Sequence, residues 1–195
     1  MKVSFIERIG AYILDTIIVG LIASLICYNL PTNDSNIQKE LNDLNQQYTS
    51  GEITSKEFYN GYNNLLYENQ KNTMIPTGVS LVLTIGYFIV FQSMNKGQTI
   101  GKKLLHLRVV DKETGKNPTI VKFLIRSLIV LGILSTTINL LVINLFSKKT
   151  YIPCYYIVSI IEIVVVLISV ALIIFKDGRG LHDKMANTKV IKEGR

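Results

Sequence analysis

Four apolar stretches, at 9–30, 75–94, 128–146 and 155–175, constrain this chain more than anything else in it. A hydrocarbon core of roughly 30 Å takes about 20 mostly apolar residues per helix. Lipid offers no partner to a bare N–H or C=O, so a crossing segment satisfies its own backbone as a helix. The predicted fold is therefore an all-α polytopic membrane protein with four transmembrane helices. The second stretch carries no charge, and Pro76 suits a first helical turn. Asp15 interrupts the first and Glu162 the fourth. The third has a polar middle of Ser135, Thr136, Thr137 and Asn139, which also suits an interfacial or re-entrant helix. A cleaved signal peptide is the rival reading of the first stretch. Lys2 and Arg8 fit it, but Asp15 inside the run does not, and no A-x-A site follows.

Composition agrees with a membrane protein. The chain is 48% hydrophobic and 18% charged, with a mean hydropathy of +0.32, whereas soluble domains carry about 25% charged residues. It is nonetheless basic, at +7. Cations on an apolar background belong at lipid headgroups, while nucleic-acid binders are basic on a polar background. The expected partner is a bilayer with anionic headgroups, with no nucleic acid. Cys27 and Cys154 form neither a zinc motif nor a disulfide framework. Both fall near the predicted outer face, where a disulfide is allowed and two unpaired thiols are the simpler reading.

Sixteen of the 21 lysines and arginines fall in 1–8, 95–127 and 176–195, and five in 31–74 and 147–154. The positive-inside bias therefore predicts cytoplasmic termini, a cytoplasmic loop 95–127 and an outer insertion 31–74. Within the insertion, Ile37, Leu41, Leu44 and Tyr48 make one helical stripe. Ser50-Gly51 ends it, and Thr54-Ser55-Lys56-Glu57 reads as a capping box opening a second helix striped by Phe58, Tyr62 and Leu65. The expectation is an extracytoplasmic helical hairpin, read either as a hydrated loop that folds or as a docking module for another membrane protein. In the loop 95–127, alternation across Leu105, Leu107 and Val109 predicts a strand, followed by a turn around Gly115. Thr188 to Ile191 is a second β-prone stretch, and the two are expected to pair as a small cytoplasmic sheet. Gly97 to Lys103 superficially suggests a phosphate-binding loop. Its glycines are one residue too close, and Lys103 stands where the magnesium-binding hydroxyl should be.

The acids inside the spans are the functional candidates, because a carboxylate at bilayer centre costs roughly 2.5–3.5 kcal/mol on insertion scales. Arg8 and Asp15 share a helix face but lie about 10 Å apart along the axis, too far for a direct pair. Glu162, Thr136 and Asn139 are expected at similar depth. With Asp15 they form a candidate intramembrane site for a proton or small cation, against the simpler reading that each acid only fixes helix packing. His182-Asp183 lacks a nucleophile at a related motif, so no catalytic residue is assigned and no enzyme, cofactor or metal is expected.

Three pieces then stand in a recognisable order. They are Arg8…Asp15, Gly97-Gln98-Thr99-Ile100-Gly101-Lys102 followed by Leu107-Arg108-Val109-Val110-Asp111, and Leu181-His182-Asp183…Thr188-Lys189-Val190. Together they closely resemble the RDD family of bacterial membrane proteins, named for one arginine and two aspartates. By position these match Arg8, Asp15 and Asp183, and the likeness covers nearly the whole chain except 31–74. The resemblance implies a bacterial cytoplasmic membrane protein in a family often suspected of transport. Some members are assigned sodium/proton antiport, and others look like partners or regulators of membrane enzymes. The two functions carried forward are a cation or proton carrier, and a non-transporting protein that binds another membrane protein, itself or anionic lipid. An Arg8–Asp183 pair joining the tail to the first helix is a further expectation.

Overall fold

The computed structural model describes residues 3–28, 30 and 34–193. Residues 1–2, 29, 31–33 and 194–195, among them the cations Lys2 and Arg195, lie outside the described residues. Helix α1 (Phe5–Cys27) opens on a capping box, with the Ile6 N–H donating to the Ser4 hydroxyl and the Ser4 N–H to Glu7. These bonds satisfy the orphan donors of the first turn, so α1 begins four residues before the apolar run does.

The insertion is the expected hairpin, α2 (Asp34–Thr49) and α3 (Ser55–Asn72). Thr54 and Glu57 form the capping box, and Tyr48 meets Phe58 with ring centroids 4.7 Å apart. Gly61 lets the two helices close: a β-carbon there would lie 2.7 Å from Leu44 Cδ1.

Helix α4 (Met74–Met94) follows, its segment Gly86–Phe91 wound as a π-helix. It leads into the short α5 (Ile100–Leu104) and β1 (Leu107–Asp111). The strand starts later than its alternation suggests, because Leu105 still closes α5 and His106 turns the chain at φ 55°.

The third apolar stretch corrects an expectation. It is not one straight helix but a pair, α6 (Ile120–Val130) and α7 (Ile133–Leu145), bent by 69°. Gly132 sits between them at φ 62°, in the left-handed region that stops α6. Its carbonyl accepts the Thr136 N–H and the Ser135 hydroxyl, both at 2.9 Å, which starts α7 in a new direction. Helix α8 (Lys148–Phe175) is longer than its apolar core and holds Pro153 near its start. Among the described residues, three helices (α1, α4 and α8) are long and apolar enough to cross a bilayer, and four crossings result if the bent pair counts as one. Ile160, Ile161, Ile163 and Leu167, on the side of α8 away from Glu162 and Ser169, are exposed, as lipid-facing residues should be.

The tail forms α9 (Leu181–Met185) and β2 (Thr188–Lys192), and β2 pairs antiparallel with β1 so that Val109 faces Val190. Leu107, Val109 and Val190 join Ala11, Ile89 and Phe123 in one core cluster, so the sheet packs directly on the helices. The hairpin and the sheet lie at opposite ends of α1, α4 and α8. At the hairpin end, the Tyr156 hydroxyl donates to Asn63 at 2.8 Å and Tyr67 meets Tyr151 edge-on at 5.5 Å. Cys27 and Cys154 are unpaired thiols.

Candidate functional site

Two buried carboxylates organise the sheet end. Asp15, with no exposed surface, accepts the Tyr87 hydroxyl and the Gly101 N–H, each at 2.7 Å, through one oxygen. Its other oxygen accepts the Thr99 hydroxyl and lies 3.9 Å from Lys102 Nζ. Thr99 is also the N-cap of α5, so Asp15 joins α1 to the first turn of α5. Gly101 is required for this approach, since a β-carbon would collide with the Ala11 carbonyl oxygen and Asp15. Burial, reinforced by Arg126 and opposed by Asp15 and Asp183, pushes the Lys102 ammonium down to about 8.

Asp183 is the second node, also fully buried. Arg8 Nη1 donates to Oδ2 at 3.0 Å and Arg126 Nη1 to Oδ1, while the Thr188 hydroxyl and the Gly180 N–H complete the shell at 3.2 and 3.3 Å. Burial alone would raise the Asp183 carboxyl, but Arg126 and Arg8, with the Gly180 N–H, hold it down at about 2. His182 lies against it, Nε2 being 3.4 Å from Oδ2, and its Nδ1 is 2.9 Å from the Ser169 hydroxyl. Burial, reinforced by Arg126, pushes the imidazole down to about 3, so at neutral pH it is uncharged. Nδ1 then accepts the Ser169 O–H, and Ser169 Oγ itself accepts the Leu181 N–H at 3.2 Å. The Ser169 hydroxyl thus joins α8 to α9.

Glu162 stands apart from both nodes. It lies near the middle of α8, about 20 Å from either end. Its carboxylate makes no hydrogen bond or ion pair among the described residues, and it abuts Gly132: a β-carbon there would sit 2.7 Å from Oε1. The positive end of the α7 dipole attracts a carboxylate at this point. Two cavities meet at Glu162. One, of about 320 Å³, opens toward the hairpin and is lined by Gln70, Thr77, Thr136, Asn139 and Tyr151. The other, of about 410 Å³, runs toward the sheet end, where Arg8, Lys102, Arg126 and His182 line it. Leu131, Gly132 and Glu162 line both. In the hairpin-side cavity Asn139 Oδ1 is buried without a donor among the described residues.

The structure thus brings Glu162, Thr136 and Asn139 to one cavity, and places Asp15 in a different, fully occupied node. Gln98, the remaining polar residue of the Gly97–Lys102 motif, braces the sheet, donating to the Leu107 carbonyl at 2.9 Å.

The sequence model of the RDD family matches residues 2–187. The chain belongs to the RDD family. No curated protein and no solved structure matches it. In this RDD protein Arg8, Asp15 and Asp183 do not form one cluster: Arg8 pairs with Asp183, and Asp15 holds α5. Sequence reading missed Tyr87 and Arg126 as partners of the two aspartates, and Ser169 as the partner of His182. Lys122 and Arg126 are the two cations of an otherwise largely apolar α6, and nothing local indicates that Arg126 meets a residue 57 positions on.

Proposed function

We propose that this RDD protein carries protons or small cations across the bacterial cytoplasmic membrane, with Glu162 as the group that binds and releases them. The observation that carries this reading is the position of an unpaired carboxylate in the wall shared by two cavities, beside a broken helix. Broken helices and intramembrane acids are the usual furniture of ion and proton sites. The oxygens of Thr136 and Asn139 supply neutral ligands on the hairpin side. Asp15 and Asp183 serve as structural joints in this reading, and no step of enzyme chemistry is assigned. The termini and the sheet are taken as cytoplasmic.

The test is reconstitution in vesicles with a trapped pH dye, under imposed Na⁺, K⁺ or Li⁺ gradients and under a pH gradient alone. Wild type should move protons and Glu162→Gln should not. Equal behaviour of the two would end the carrier reading. The alternative, a protein that binds another membrane protein or a second copy of itself through the hairpin, predicts null fluxes and repeated recovery of one partner in mild detergent.

A further inference from the structure

The sheet-side cavity has two unlike ends. Its depth holds Glu162, while its mouth holds Arg8, Lys102 and Arg126. Glu162 is seven residues from Ser169, which touches His182, so the acid lies about 10 Å along α8 from the cationic end. That separation is too great for Glu162 to pair with those cations. At the mouth the charges do not balance. Arg8 and Arg126 share one carboxylate, Asp183; Lys102 has Asp15 within 3.9 Å; and His182 is neutral. One positive charge is left over in a largely buried cluster, a costly arrangement unless an anion completes it. The Arg8 Nε–H is moreover buried with no acceptor among the described residues.

The walls between the two ends are apolar, formed by Ile9 and Tyr12 of α1 and Val166, Val170 and Ile173 of α8. Ile9, Tyr12 and Val166 are 38%, 42% and 40% exposed, so the cleft between α1 and α8 opens sideways on the surface that faces lipid. Its volume lies within the range of small-molecule sites. An anionic group at one end, an apolar body along the walls and a lateral entrance describe an anionic amphiphile. Basic pockets between helices at the membrane interface recognise such headgroups.

We propose that this cleft is a binding site for one anionic phospholipid, its phosphate at Arg8, Lys102 and Arg126 and its chains along α1 and α8. The headgroup supplies the missing negative charge and an acceptor for the Arg8 Nε–H.

The experiment is native mass spectrometry of the full chain, released in mild detergent from vesicles of equal parts phosphatidylglycerol and phosphatidylcholine. One phosphatidylglycerol should stay bound, preferred over phosphatidylcholine by about tenfold or more, the ratio that about 1.4 kcal/mol of charge recognition produces. Val166→Phe fills the exposed wall without touching the Asp183 node and should lower retention by a similar factor. Lys102→Gln should lower phosphatidylglycerol retention and with it the preference for the anionic lipid. Equal retention of the two lipids would overturn the proposal, as would unchanged retention in both variants. Displacement by excess inorganic phosphate would reassign the site to a free anion, and a dimer lost in Val166→Phe would reassign the cleft to a second copy; either outcome overturns the lipid. Retention is read without any flux, so the result stands whether or not Glu162 carries protons.

Discussion

At Asp183, two guanidiniums, one imidazole, a hydroxyl and a backbone N–H converge on a single buried carboxylate. Removing that charge leaves Arg8 and Arg126 uncompensated, so Asp183→Asn should cost about 3–5 kcal/mol, read as a lowered unfolding midpoint in detergent. An exchange of partners, Arg8→Asp with Asp183→Arg, should rescue only in part, because Arg126 would then meet an arginine at position 183. Full rescue would mean that Arg126 contributes nothing. His182 makes the same node sensitive to pH. The unfolded chain protonates this residue near 6.5, whereas the folded chain resists until about 3. Stability from neutral His182 is therefore complete above about pH 6.5 and declines as pH falls toward 3, by roughly 3 kcal/mol at pH 4. Asp183, held at about 2, keeps its contribution above its unfolded value near 3.8 and loses it below. The unfolding midpoint measured from pH 7 to 4 should fall in wild type and stay nearly flat in His182→Gln.

Among the elements, the broken pair α6–α7 departs most from its sequence reading. Mean hydropathy and length describe a span there, and Ser135, Thr136 and Asn139 were legible as an interruption of it. What they do not state is the sign of φ at Gly132, which turns the chain by 69° and sets the start of α7 against Glu162. A left-handed φ costs a residue with a β-carbon about 1–2 kcal/mol, and here the added atom would also crowd the carboxylate. Gly132→Ala should therefore depress vesicle flux while far-UV circular dichroism keeps the wild-type helix content. A straightened helix would raise that content instead. By contrast the hairpin was readable in full: the Ile37–Tyr48 stripe, the Ser50-Gly51 break and the Thr54–Glu57 box are local signals, and each occurs where it was read. Gly97 and Gly101 were visible as a motif, but their close neighbours, the Val109 and Ala11 carbonyls, come from elsewhere in the chain.

On the scale of the whole molecule, the hairpin and the sheet cap opposite ends of one helical bundle, and the positive-inside bias of the sequence gives the expectation that the sheet end is cytoplasmic. Cysteine labelling tests that orientation. In a Cys27→Ser/Cys154→Ser background, a membrane-impermeant maleimide should label Ser50→Cys in intact cells and Lys112→Cys only after permeabilisation; the opposite pattern would invert the topology.

The amino-acid order alone determined the apolar helices, the hairpin with its cap, the two β-prone stretches and membership of the RDD family. The local elements among these depend on periodicity or on contacts a few residues apart, which a linear chain displays directly. Only the tertiary structure decided that Arg126 joins Arg8 at Asp183, that Asp15 spends its oxygens on Tyr87, Thr99 and Gly101, and that Glu162 is left unpaired between two cavities. A charge in a low-dielectric interior interacts with whatever lies within a few ångströms through space, and sequence separations of 57 to 175 residues carry no trace of that distance.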